Sequence, residues 1–181
     1  MRRSMFILLL IQTLWGYDYN DLLIDAQSRI YPKLLMLQEG LLHNKEKEKP
    51  LVLTIVYMPE DEAVARKIVR KIEHYHDHRI GEYRFVVRMA SYEALDRLDR
   101  TDALYLLKAD DTSLKHAVEI GSSKKIPVFV YDFNDLESGA LLALTIERST
   151  VIYLNRDALK KGPRFSSTLY SIARFMDVQT N

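Results

Sequence analysis

The sequence has no cysteine. This excludes disulfides, thiol catalysis and cysteine-based zinc sites. It does not select a compartment, since exported proteins of this length can fold without covalent staples. Glycine is scarce. The six glycines are Gly16, Gly40, Gly81, Gly121, Gly139 and Gly162. No two are close enough to build a dinucleotide fingerprint or a phosphate-cradling loop. Excess charge of one sign is also missing. The formal net charge is +1, from 26 Lys and Arg against 25 Asp and Glu. That is too little to favour nucleic acid or an anionic membrane as a partner.

Long apolar runs are absent too, apart from one near the N-terminus. Arg2 and Arg3 precede a nearly continuous apolar stretch over 5–15, followed by the small residue Gly16. This is the pattern of an export signal. As a helix, the stretch would reach only about 16 Å against roughly 30 Å of bilayer core, which disfavours a stable span. The expected organisation is a signal peptide over 1–16 and a single α/β domain over 17–181. The domain would be periplasmic. Cleavage after Gly16 would remove Arg2, Arg3 and the single tryptophan, Trp15.

Hydrophobic residues make up 48% of the 181, enough for one domain with a full core. Leu23, Ala26, Ile30, Leu34, Leu37 and Leu41 recur at steps of three and four, which predicts a helix. Asp21 is its expected cap, Pro32 is expected to kink or divide it, and Gly40 is a stop signal. The alternating charges over 45–49 read as a solvated connection. Strands are predicted over 51–57, 83–89, 103–108 and 126–131. Helices are predicted from Pro59, over 91–98 with Ser91 as cap, and over 112–120. Alternation of this kind implies a mostly parallel sheet covered on both faces, a Rossmann-like three-layer sandwich. The runs 141–147 and 150–154 then predict a hairpin turning at Arg148-Ser149. Asn155 is expected to cap a short helix ending near Gly162. A final helix follows Pro163, with Leu169, Ile172, Ala173 and Met176 on its apolar face.

His74, His76 and His78 form the strongest metal candidate, because imidazole suits zinc or copper and Asp77 lies between them. On a helix, His74 and His78 share a face while His76 points away. A solvated helix end is the alternative, and no distant ligand is visible. Asp61, Asp110 and Asp111 follow strands in the manner of a magnesium-binding receiver domain. However, no lysine ends the later strand 126–131, so helix capping is the preferred role for these acids. Arg66, Lys67, Arg70 and Lys71 read as a solvated helix face. Ser166 and Ser167 precede an apolar helix and do not occupy a nucleophile elbow. A small ligand or partner is expected beyond the carboxyl ends of the parallel strands. That places Tyr57, Met58, Lys108, Asp110, Asp132 and Asn134 among the candidates, with turn formation as their alternative role.

Several segments between Ile24 and Met176 together resemble the YfiR-like family of bacterial periplasmic proteins. Ala26 to Leu37, with Ile30-Tyr31, is similar to that family's opening helix. Asp132 and the later Gly139-Ala140 are similar to its strand-end aspartate and the glycine before its hairpin. Val151 to Asn155 is similar to the second hairpin strand. Ala158, Ser166-Ser167, Leu169, Ile172 and Ala173 are similar to the closing helices. A Trp-Pro pair that tends to end the family's opening helix is missing between Leu37 and His43, and Gly139 lacks a neighbouring glycine. The resemblance implies a non-catalytic periplasmic regulator without a cofactor. Its partner would be an inner-membrane signalling protein, a diguanylate cyclase in cyclic-di-GMP signalling or a histidine kinase, and dimers are common in the family. A free-standing solute or metal binder is the alternative reading, and an enzyme on this scaffold is the weakest.

Overall fold

The computed structural model describes residues 18–41 and 49–177. The expected signal over 1–16 and most of the charged run over 45–49 lie outside the described residues. The chain begins with α1 (Asp21–Leu35) and β1 (Leu51–Tyr57). A 3-10 turn (Pro59–Asp61) leads into α2 (Glu62–His76), then a short β2 (Arg79–Ile80) and β3 (Tyr83–Ser91). A second 3-10 turn (Tyr92–Arg97) leads to β4 (Ala103–Leu106), α3 (Asp111–Ser123) and β5 (Val128–Val130). A third (Phe133–Ser138) leads to β6 (Leu142–Ile146) and β7 (Thr150–Asn155). The described chain closes with α4 (Arg156–Lys161), α5 (Ser167–Ile172) and β8 (Arg174–Met176). No helix among the described residues is long and apolar enough to cross a membrane.

The eight strands form one sheet in the order β2-β3-β1-β4-β5-β6-β7-β8. β3, β1, β4, β5 and β6 run parallel to their neighbours, while β2 and β7 pair antiparallel with β3 and β6. The fold is therefore α/β, with a mostly parallel sheet, a hairpin near the C-terminus and closing helices. β1 is buried along nearly its whole length, which explains its unbroken run of apolar and β-branched residues. One face of the sheet packs Ile24, Tyr31 and Leu35 of α1 and Ile68 and Ile72 of α2 against Leu53, Tyr105 and Leu142. The opposite face packs Leu114 and Ala117 of α3 against Val56, Leu106 and Val130.

Buried polar groups fix α1 on the sheet. The β5–β6 register extends over only two pairs, Phe129↔Leu142 and Val130↔Ala143. Next to it, the Tyr31 hydroxyl donates to Val130 O (2.8 Å) and accepts from Leu144 N (2.9 Å). The Gln27 amide donates to Tyr131 O and Leu144 O, both at 2.9 Å. Each such backbone group, if buried without a partner, would cost about 1–3 kcal/mol.

α1 departs from expectation at both ends, and Pro32 does not divide it. Its cap is Asn20, whose Oδ1 accepts from Leu22 N and Leu23 N. Asp21 lies inside the first turn. Gly40 does not stop the helix, which ends at Leu35; Gly40 adopts φ +78° in the turn beyond. Pro32 sits inside an undivided helix. Having no N–H, it cannot bond the carbonyl four residues back, which belongs to Ser28. That carbonyl meets His76 Nε2 at 3.1 Å instead. The imidazole thus takes the place of the missing backbone donor.

Other elements also differ. Residues 92–97 form a 3-10 turn, and the Ser91 hydroxyl does not cap it. The β6–β7 turn spans Glu147, Arg148 and Ser149, since Ile146 pairs with Thr150 and Glu147 N donates to Ser149 O. The final helix ends at Ile172. Residues 174–176 form β8, pairing Phe175 with Leu154 and Met176 with Asn155. The exposed edge of β7 supplies hydrogen-bond partners that no local helix pattern reveals.

Candidate functional site

The sheet order reverses between β1 and β4. From β1 the chain moves to β3 on one side, then returns to β4, β5 and β6 on the other. Crevices outside the carboxyl ends at such a reversal are the usual ligand sites of open α/β sheets. The residues flanking this one are Tyr57 at the end of β1 with Met58 after it, and Leu107 and Lys108 after β4.

Tyr19, just ahead of α1, enters this crevice. Its hydroxyl donates to Asp61 Oδ2 at 2.8 Å and accepts from Lys108 N at 3.1 Å. Asp61 is 2% exposed; its carboxylate makes no capping bond to α2. Burial and the adjacent Asp61 carboxylate push the Tyr19 phenol well above its ordinary value, so it stays a neutral donor. The Tyr19 ring lies 4.7 Å from that of Tyr131, tilted by 57°. The Tyr131 hydroxyl accepts from Asn20 N at 2.6 Å. Tyr19 and Asn20 thus tie the start of α1 to the ends of β4 and β5.

Beside the two rings is an open crevice of about 520 Å³. Lys108 and Asp132 meet there, with Nζ 3.3 Å from Oδ2. The same ammonium lies 5.7 Å from the Tyr131 centroid and 6.0 Å from that of Tyr19. Asp135 lies on the next turn. Burial first, then the negative charge of Asp132, pushes its carboxyl up to about 6, while Lys108 pulls the other way. Its Oδ2 is buried and has no partner among the described residues.

The remaining candidates do not join this group. Asp110 caps α3, its Oδ1 accepting from Thr112 N and Ser113 N. The Ser113 hydroxyl adds a bond to Asp110 Oδ2, and these bonds hold the carboxyl below its ordinary value. Asn134 is exposed, and its backbone N–H donates to Asp132 Oδ1. Tyr57 packs against the core beneath α1 and α2. Met58 lines a separate cavity of about 200 Å³ with Tyr92 and His116. Asp111 begins α3.

The histidines are dispersed. His76 is buried against Ser28 O, and burial pushes its imidazole below the ordinary value. His74 is exposed in the last turn of α2. The helix ends at His76; Asp77 and His78 adopt left-handed backbone at φ 44° and 55°. His74 and His78 therefore do not share a helical face. Among the described residues, no group of three His, Cys, Asp or Glu is placed to hold a metal.

No family model and no curated protein matches this chain. Solved structures do. One is a conserved domain protein from Vibrio cholerae O1 biovar El Tor, with a TM-score of 0.56 and 11% identity over 84% of this chain and 59% of that one. Another is a substrate-binding protein with adhesive properties from Clostridium difficile, in its ligand-free, open form. Its TM-score is 0.55, with 16% identity over 74% of this chain and 56% of that one. The likeness establishes the fold. This chain spans less than two thirds of either structure.

Of the strand-end residues read from the sequence, Lys108 and Asp132 come together. Tyr19 and Tyr131 complete the crevice and were not singled out. Tyr131 had a weak signal, as the last residue of a predicted strand. Tyr19 had none, since its partner Lys108 lies 89 residues away. As a set, these groups offer an ammonium, carboxylates, two phenol rings and an exposed Leu22. That chemistry suits recognition.

Proposed function

We propose that this chain is an exported, non-catalytic binding module that regulates a membrane signalling protein, a diguanylate cyclase or a sensor kinase. The observation that carries this reading is the strand-end crevice, where Lys108, Asp132, Tyr19 and Tyr131 converge at the reversal of the sheet. Leu22, 72% exposed, stands at its rim. An exposed apolar side chain beside aromatic rings and a paired charge is a usual composition for a contact surface. The YfiR-like sequence features supply the partner class. Regulation requires that the module bind one state of its partner more tightly. Moving a 1:99 population to 99:1 takes about 5.5 kcal/mol of differential affinity.

The test is capture from membranes of the native host with the full-length chain, followed by mass spectrometry. A diguanylate cyclase or histidine kinase is expected with wild type, and it should be lost with Leu22→Asp. Capture of neither, or undiminished capture by Leu22→Asp, overturns the reading. Fractionation is expected to place the chain in the periplasm. The crevice volume and the fold shared with a substrate-binding protein favour a second reading, a free-standing solute binder. On that reading, a ligand would bind in stoichiometric amount without any membrane partner.

A further inference from the structure

We infer that the strand-end crevice binds small alkylammonium ligands and that the Lys108 ammonium is its built-in occupant. This rests on reading the crevice as a recognition site, and not on the identity of any membrane partner. Two tyrosine rings 4.7 Å apart and tilted by 57° form an aromatic corner. A positive charge is already seated in it. Lys108 Nζ lies 5.7 Å and 6.0 Å from the two ring centroids and 3.3 Å from the Asp132 carboxylate. Aromatic faces backed by a carboxylate are the groups that recognise alkylammonium ions. The Tyr19 hydroxyl donates to Asp61, which moves electron density into the ring and strengthens its hold on a cation.

The occupant is replaceable. Lys108 reaches the corner on a flexible four-carbon stem, and its side chain is 25% exposed. It can turn into water when another cation arrives, regaining rotamer freedom as it does so. The surroundings select the incoming charge. Asp18, Asp21 and Asp132 line the crevice against Lys108 alone; Asp21 is also bonded to Lys67 outside it, at 2.6 Å. Anions are disfavoured by this balance. Leu22, 72% exposed at the rim, offers apolar surface to the alkyl groups of a substituted ammonium.

Calorimetric titration of the full-length chain with choline tests the inference. The neutral isostere 3,3-dimethylbutan-1-ol is the control for shape. Choline is expected to bind, and the alcohol about tenfold more weakly or not at all. Lys108→Met should strengthen choline binding by about fivefold or more, because it removes an internal competitor. Asp132→Asn should weaken it by about tenfold through the loss of coulombic attraction, and Tyr19→Phe, which keeps the ring and loses the bonds to Asp61 and Lys108 N, by about threefold. Thermal melting confirms that each variant folds. Weaker or unchanged binding in Lys108→Met, equal binding of the alcohol, or no choline binding to either wild type or Lys108→Met overturns the inference. Tighter binding of acetate than of choline overturns it as well. A chain that ignores choline but captures a cyclase or kinase sinks this inference alone. One that binds choline but captures no membrane protein sinks only the regulatory reading.

Discussion

Asp135 is the residue whose environment opposes its ordinary chemistry. Its carboxyl is pushed up to about 6 by burial and by Asp132. The folded chain therefore prefers it protonated, whereas the unfolded chain releases the proton near the ordinary value of 3.8. Stability from this group is fully present below about pH 4 and is lost as pH rises to about 6. Above that, the fold holds a partly buried, poorly partnered carboxylate. Asp135→Asn removes the charge and keeps the shape. It should stabilise the fold at pH 7 by about 1 kcal/mol, discounted because part of the group remains near water. At pH 3.5 the difference should vanish. Urea denaturation of both proteins at the two pH values measures this; equal midpoints at pH 7 would show that the carboxylate is satisfied.

Elements were legible where the pattern is local. β1 was read with its observed bounds because a strand buried on both faces needs continuous apolar and β-branched residues. The hairpin was read from two short runs and a polar turn. The end of the chain was misread because Leu169, Ile172, Ala173 and Met176 imitate a helical stripe. The imitation holds only to Ile172, beyond which pairing with the edge of β7 takes over. Pro32 reads as a kink or a division, and the donor that lets α1 run on undivided lies 44 residues further along, on α2. This coupling between helices can be measured. His76→Leu should cost about 1–2 kcal/mol, since it leaves Ser28 O without its buried donor. In a Pro32→Ala background the backbone regains its own N–H, and the same change should cost about 1 kcal/mol less. A double-mutant cycle by denaturant unfolding gives the coupling. A coupling energy of zero would mean that His76 holds α2 by packing alone.

At the scale of the whole molecule, the fold class was legible because alternating strands and helices leave few arrangements. The candidate site was only half legible, since strand ends can be placed from pattern while the entry of Tyr19 depends on where the chain before α1 returns. The two cores share one sheet. Leu53 and Ile55 face α1 and α2 from β1, while Val56, next along the chain, lies on the opposite face. Alternate residues of β4 divide likewise, Tyr105 to one core and Leu104 and Leu106 to the other. Neither core can be lost while the central strands keep their places. Unfolding should therefore be a single transition. Ile68→Ala, in the core beneath α2, and Leu114→Ala, in the core beneath α3, should each cost about 2–5 kcal/mol. Each should lower one common midpoint seen both by far-UV circular dichroism and by the near-UV signal of the buried tyrosines. If Leu114→Ala instead split the transition in two, with the tyrosine signal of the α1 side surviving the loss of the α3 side, the cores would be separate folding units.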